Sequence, residues 1–349
     1  MPDHFDAPSS ADRPDSVSAA DLRVAYFITS YGSGEQLHRL VTTLRAAEPV
    51  SPIVIRHDTF NSQLDPQLFA GFTDVHVLDG GEPIVWGDMS LESTRWNVFR
   101  WILANLDIDW VVLLSEQDYP IEPLQSLRAD FATSGADAFL AGERIDQIDD
   151  PGLRREFELR YLYQYVSLPD IAIVDRLPQV LRKPIRELRG MVISAFTRVQ
   201  KKVFIYTMDA LQLPMRIGVK PRTTIFSDEF PCWKNDCWCA LSRRTLEHIV
   251  SYLDTHPEFI KYYERTVIPL ESATGTIVFN DPDLVVKNVP THTVRWSDPD
   301  SGRPDVFTEA DLEYLRSSGN AFARKFGYAN TTVFDELDKI VLANAQESK

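Results

Sequence analysis

From Leu22 onward, short runs of consecutive apolar residues alternate with longer stretches whose apolar positions recur every three or four residues. Val24–Thr29, Ile53–Arg56 and Val75–Leu78 read as strands, and Glu35–Ala47, between the first two, reads as a helix. Apolar residues that run on without alternation belong in strands buried on both faces, the arrangement of a parallel sheet covered by helices. Ser90–Asn105 predicts a helix, with Trp96, Phe99, Ile102, Leu103 and Leu106 at helical spacing. The clearest strand, Trp110–Leu114, runs straight into Ser115-Glu116-Gln117-Asp118-Tyr119-Pro120. Further on, the pattern predicts a strand around Cys237–Ser242, a helix over Arg244–Asp254, and helical stretches over Glu309–Phe326 and Thr332–Ala345. Residues 1–20, dominated by Pro, Ser, Asp and Ala without periodicity, read as a disordered leader. The expectation is one α/β domain over 21–330 and a C-terminal helix or tail over 331–349.

Within that domain, residues 179–222 break the pattern: Lys and Arg outnumber acidic residues ten to two, with Leu, Ile, Val and Phe interleaved. This predicts a basic helical insertion that either docks on the domain or touches an anionic glycan or the anionic lipid of a membrane surface. The rest of the chain is acidic. A net charge of -15 over 349 residues argues against nucleic acid as a partner, because phosphate backbones call for a basic footprint. No apolar run approaches membrane-spanning length and Met1 to Ala20 is polar, so neither signal peptide nor anchor is expected and the reading is a cytoplasmic protein, with peripheral contact at the inner membrane face as an option. The three cysteines, Cys232, Cys237 and Cys239, form no disulfide framework. Their spacing is poor for zinc, with His248 as the nearest histidine downstream, so reduced thiols are expected.

Ligands of open parallel sheets bind beyond the carboxyl ends of the strands, which directs attention to residues immediately after them. Asp58 follows the second strand, where it could accept from ribose hydroxyls or cap a turn. Trp86 offers a flat face for a base such as uracil, or ordinary core packing. Glu116 and Asp118 follow the Trp110–Leu114 strand. An Asp-x-Asp in that place would hold a divalent metal on a diphosphate; here Asp107-Ile-Asp109 precedes the strand, and Asp281-Pro-Asp283 and Asp298-Pro-Asp300 read as turns. No metal is therefore expected, and Arg295, Arg303, Arg324 and Lys325 could neutralise phosphate charge instead. Glu271 lies between Ile268-Pro269-Leu270 and the small-residue run Ser272-Ala273-Thr274-Gly275-Thr276, where a substrate could approach closely. It could serve as a base or as an acid at a helix start.

Taken in order, Val24–Ile28, Ile53–Asp58, Val85–Ser90, Leu113–Ile121, Trp238–Ser242, Pro269–Ser272, Arg295-Trp296 and Phe322–Phe326 resemble segments of the core-2/I-branching N-acetylglucosaminyltransferase and peptide O-xylosyltransferase family. The resemblance implies a GT-A type fold with a Rossmann-like, mostly parallel sheet, and an inverting, metal-independent transfer from a UDP-sugar, GlcNAc first and xylose next. It requires no cofactor beyond that co-substrate. The acceptor would be a hydroxyl of a glycan, glycolipid or other molecule, in a microbial, cytoplasmic member of the family. The resemblance makes Glu271 the general base, places Asp58 on the ribose, Trp86 on the uracil and Asp118 in the donor pocket, and gives the diphosphate to Lys325 with Arg303 or Arg324. Trp238 and Trp296 would border the acceptor. Two departures stand out: Thr29-Ser30-Tyr31 replaces a segment where the family has a His, and Glu116 stands where the family has Gly. They favour an alternative, a nucleotide- or glycan-binding module that kept the fold without the chemistry. A dinucleotide site on Gly32-x-Gly34 lacks the third glycine of that fingerprint.

Overall fold

The computed structural model describes residues 18–32, 34–78, 80–167, 191, 203–206, 216–298, 303–329 and 331–343. The first half of the chain supplies strands β1 (Val24–Ser30), β2 (Ile53–His57), β3 (Val75–Leu78), β4 (Trp110–Ser115), β5 (Asp118–Pro120), β6 (Ala138–Phe139), β7 (Gly142–Arg144) and β8 (Gln164–Ser167). The second half adds β9 (Val203–Tyr206), β10 (Arg216–Val219), β11 (Trp233–Asn235), β12 (Ala240–Ser242), β13 (Val286–Lys287), β14 (His292–Val294) and β15 (Phe322–Arg324).

Seven of these form the main sheet in the order β13-β6-β12-β4-β1-β2-β3. β1 pairs in parallel with β2 and β4, while β12 runs antiparallel to β4 and β6, so the sheet is mostly parallel with one reversed strand. Continuous apolar runs go where both faces are covered, and β2 and β4 are buried along their whole length. Alternate residues of β1 serve two cores. Tyr26 and Ile28 face helix α1 (Gly34–Ala47) through Leu37, Leu40 and Leu44, whereas Ala25 and Phe27 face helix α2 (Met89–Asn105) through Trp96, Phe99 and Ile102. The α/β, Rossmann-like sheet flanked by helices is the architecture expected from the sequence.

One expectation is corrected. The helical stretch over Glu309–Phe326 breaks after a short helix at Leu312–Ser317: Gly319 takes φ +73°, a left-handed conformation that ends helices, and Phe322–Arg324 becomes β15 between β14 and β5. Most of the basic segment 179–222 lies outside the described residues, as do residues 1–17 and 344–349. Within that segment the described residues include Met191, which is helical, and the strands β9 and β10, with β10 pairing antiparallel with both β8 and β9. The helix Thr332–Val341 packs Phe334, Leu337 and Val341 into the core that also holds Tyr26.

Candidate functional site

The chain turns back at β1: β2 and β3 lie on one side of it and β4 on the other. Such a switch point opens a crevice at the carboxyl ends of β1 and β4, here at Ser30 and Ser115. A pocket lies there, lined by Thr29, Leu114, Arg95, Cys237, Trp238 and Leu270 among others.

Asp118 and Arg324 meet at this edge because β15 pairs antiparallel with β5 and brings the two residues into register. Arg324 Nη1 donates to Asp118 Oδ1 at 2.9 Å and to Ser115 Oγ at 2.6 Å, and Ser115 N donates to Asp118 Oδ2 at 2.6 Å. The Arg324 guanidinium lies over the Trp238 ring, 4.5 Å from its centroid, a cation–π contact. Asp118 is fully buried, and burial raises its pKa against the opposing pull of Arg324 and the Ser115 N–H. His292 stacks on Phe322 and sets its Nε2 3.6 Å from Asp118 Oδ2. Burial and the nearby Arg324 push that imidazole down to about 3, so it is neutral near pH 7.

Lys325, next to Arg324, also has a lowered pKa, first from burial and then from the charges of Arg324 and Arg303. Those three cations therefore share one electrostatic neighbourhood. Arg295 does not serve it: its guanidinium bonds Asp305 and Asp311, both at 2.7 Å, and covers Phe307. Trp296 is half-exposed beyond β14.

Asp58 is buried and engaged in its own turn. Its carboxylate accepts from Phe60 N at 3.2 Å and from Asn61 Nδ2, so it caps its own turn. Trp86 is not core packing; it stands 43% exposed on a loop fixed by Asp88, which caps α2 through Ser90 N at 2.8 Å, and by Ser90 Oγ, which accepts from Val85 N at 2.8 Å.

That loop is tied to the segment carrying Glu271: Ile268 N donates to Gly87 O at 2.9 Å. Glu271 ends a single 3-10 turn, Pro269–Glu271, with its side chain 30% exposed. Arg160 Nη1, from the helix Pro151–Tyr161, donates to Glu271 Oε2 at 2.8 Å. Burial raises the Glu271 pKa, and Arg160 followed by Lys234 hold it back. The small-residue run after it does not admit a substrate. Ser272, Ala273, Thr274 and Thr276 are buried, and a Cβ at Gly275 would lie 2.3 Å from Asn235 Oδ1, so close helix packing accounts for the small side chains.

Two of the remaining carboxylate pairs and two of the thiols have structural roles. Asp107 and Asp109 both pair with Arg23, and Asp281 accepts from Asp283 N at 2.8 Å and meets His248 Nδ1 at 2.7 Å. Cys232 and Cys239 are buried, which pushes each thiol up to about 12. Among the described residues no three His, Cys, Asp or Glu side chains gather as a metal site, and no helix is long and apolar enough to cross a membrane.

With this geometry the chain aligns over 348 residues, at 21% identity, with beta-glucuronosyltransferase GlcAT14A of Arabidopsis thaliana, covering 95% of this chain and 67% of the plant protein. The chain is similar to a plant glycosyltransferase. No family model matches it. Among solved structures, 4-diphosphocytidyl-2C-methyl-D-erythritol synthase from Anaerococcus prevotii aligns with 85% of this chain and 97% of its own, at 11% identity and a TM-score of 0.33. The plant relative is named for glucuronate transfer, not for the N-acetylglucosamine or xylose transfer implied by the sequence motifs.

Sequence reasoning missed Arg160 and His292. Arg160 lies in a helix of mixed charge, where an i, i+4 partner such as Glu156 explains an arginine without reference to a distant residue. His292 begins a three-residue strand too short to show a pattern.

Proposed function

We propose that the protein is a glycosyltransferase that moves a sugar from a nucleotide donor to a hydroxyl acceptor by inversion, with Glu271 as general base. The observation that carries this reading is that an acid and a cation, Glu271 and Arg324, each adjoin a lining residue of one pocket without themselves lining it. Leu270, beside Glu271, lines one part of it, while Trp238, with Arg324 across its face, lines another. Inverting transfer needs a base to take the acceptor proton and positive charge to stabilise the departing diphosphate. A partly buried carboxylate with a raised pKa suits the first need. Arg324, Lys325 and Arg303 suit the second without a metal.

Trp86, exposed and rigidly mounted, would stack on the uracil of a UDP donor. Asp58, already bonded within its turn, would act on the ribose only by sharing those bonds. Trp238 forms the acceptor-side wall, and Trp296 would border the acceptor farther out. Asp118 acts through Arg324 rather than by touching the donor. For the sugar, GlcNAc is the first reading and xylose the next. A uronate is a further reading, supported by the likeness to the plant glucuronosyltransferase.

A panel of UDP-GlcNAc, UDP-xylose, UDP-glucuronate, UDP-galactose and UDP-glucose, assayed for hydrolysis and transfer with wild type and Glu271→Gln, tests the proposal. Turnover of one donor by wild type and its loss in the variant, with UDP binding kept, is the expected result. Binding without turnover in wild type would favour the non-catalytic module instead.

A further inference from the structure

The tyrosine at the end of β1 is mounted with unusual care for a surface residue. Tyr31 N donates to Glu116 Oε2 at 2.8 Å, and Gly32 N donates to the same oxygen at 3.1 Å. On the other side, Ser62 Oγ donates to Tyr31 O at 2.8 Å, and that hydroxyl is 2.9 Å from His57 Nε2. Both peptide groups of Tyr31 are thus tied to side chains of neighbouring segments, the buried Glu116 just after β4 and Ser62 in the turn after β2, while the residue itself is 54% exposed.

Glu116 is buried, and its own amide is held by Thr29 O at 3.1 Å, so its carboxylate has little freedom. A Cβ at Gly32 would lie 2.6 Å from Glu116 Oε1, so Gly32 leaves room for that carboxylate. Two strand-end amides that could otherwise meet a phosphate are therefore already filled by an internal anion. One residue back, Ser115 holds Arg324. The chain of contacts Tyr31–Glu116–Ser115–Arg324 runs along the carboxyl edge of β1 and β4, with an exposed phenol at one end and a guanidinium at the other.

We propose that Tyr31 is a donor-binding residue whose hydroxyl donates a hydrogen bond to the donor's diphosphate beside Arg324, with Glu116 and Ser62 as its positioning residues. The inference rests on the donor reading above. Desolvation and then the Glu116 charge raise the phenol pKa above its ordinary value, with Arg324 and Arg303 opposing, so the group is a neutral donor near pH 7. A neutral donor complements fixed cations here because it binds the phosphate oxygen without drawing further charge into the crevice.

Isothermal titration of uridine, UMP and UDP into wild type, Tyr31→Phe and Glu116→Gln tests it, with thermal midpoints as the folding control. Tyr31→Phe removes one hydroxyl from an exposed ring. The expected result is unchanged uridine binding and UDP binding weaker by roughly tenfold or more, the scale of one hydrogen bond to a charged group. Glu116→Gln, which loosens the mount but keeps the hydroxyl, should give the same selective loss in smaller measure. UDP affinity equal to wild type in Tyr31→Phe, or equal losses for uridine and UDP, overturns the inference while leaving the donor site in place. Failure of wild type to bind any of the three overturns the donor reading, and this inference with it.

Discussion

Arg160 Nη1 lies 2.8 Å from Glu271 Oε2, so the carboxylate that would take the acceptor proton is positioned by the same residue that restrains its basicity. Burial raises the Glu271 pKa and Arg160 opposes that rise. A general base works only when deprotonated, so activity should fall as pH drops through its pKa. Arg160→Gln removes the opposition, raises that pKa further and should move the acid limb of the kcat/KM profile to higher pH. Glu271→Gln should lower kcat by about 10²- to 10⁴-fold, the range of a lost general base, with UDP affinity kept. An acid limb in Arg160→Gln that stays at the wild-type position would remove Arg160 from this role.

Arg324→Ala and Lys325→Ala should each weaken UDP binding by roughly tenfold or more while sparing uridine, because each withdraws one charge-assisted contact from the diphosphate. Arg324→Lys should not restore the affinity fully. A lysine places a compact charge where the planar guanidinium spans Asp118, Ser115 and the Trp238 face. Titration calorimetry at two salt concentrations provides the measurement.

If these cations carry the diphosphate, transfer should proceed unchanged in EDTA and gain nothing from added Mg²⁺ or Mn²⁺. Rate measurements after exhaustive chelation decide this; a rate that collapses and returns with one metal would reassign the phosphate chemistry.

Asp118→Ala should cost about 3 kcal/mol of stability, as expected when one partner of a buried ion pair is removed and the other is left without its counter-charge. Urea unfolding gives the value. A loss below about 1 kcal/mol would mean that water replaces the carboxylate freely.

The helix Thr332–Val341 should prove indispensable. Phe334, Leu337 and Val341 are buried in the core shared with β1, and Asp338 Oδ1 accepts from Tyr119 Oη and from Thr43 Oγ1, each at 2.8 Å. Each such apolar side chain contributes about 1.5–3 kcal/mol, so removing three approaches the whole stability of a typical domain. A chain ending at residue 330 should lack a cooperative unfolding transition by circular dichroism; a normal transition would make the helix dispensable.

What the sequence determined by itself is the local layer. Val24–Thr29, Ile53–Arg56, Val75–Leu78 and Trp110–Leu114 each fall on an observed strand; for the central strands β1, β2 and β4 the reason is that burial on both faces demands consecutive apolar residues, visible within a short window. The carboxyl edge was legible in part: Glu116 and Asp118 follow the Trp110–Leu114 strand in the sequence, and in the fold they stand at that edge. Short or broken elements were not: Phe322–Arg324 reads as helix until Gly319 is seen to turn the chain and β5 is seen beside it.

Only the tertiary structure decided who meets whom. Asp118 and Arg324 are 206 residues apart, and Arg160 and Glu271 are 111 apart. Asp58 reads equally as ligand or cap until its turn is folded, and Glu116 reads as an intrusion until the amides of Tyr31 and Gly32 close on it. Periodicity records how each residue is buried, which is a property of its own neighbourhood along the chain. A site is made of contacts between distant segments, and those depend on how whole sheets and helices pack.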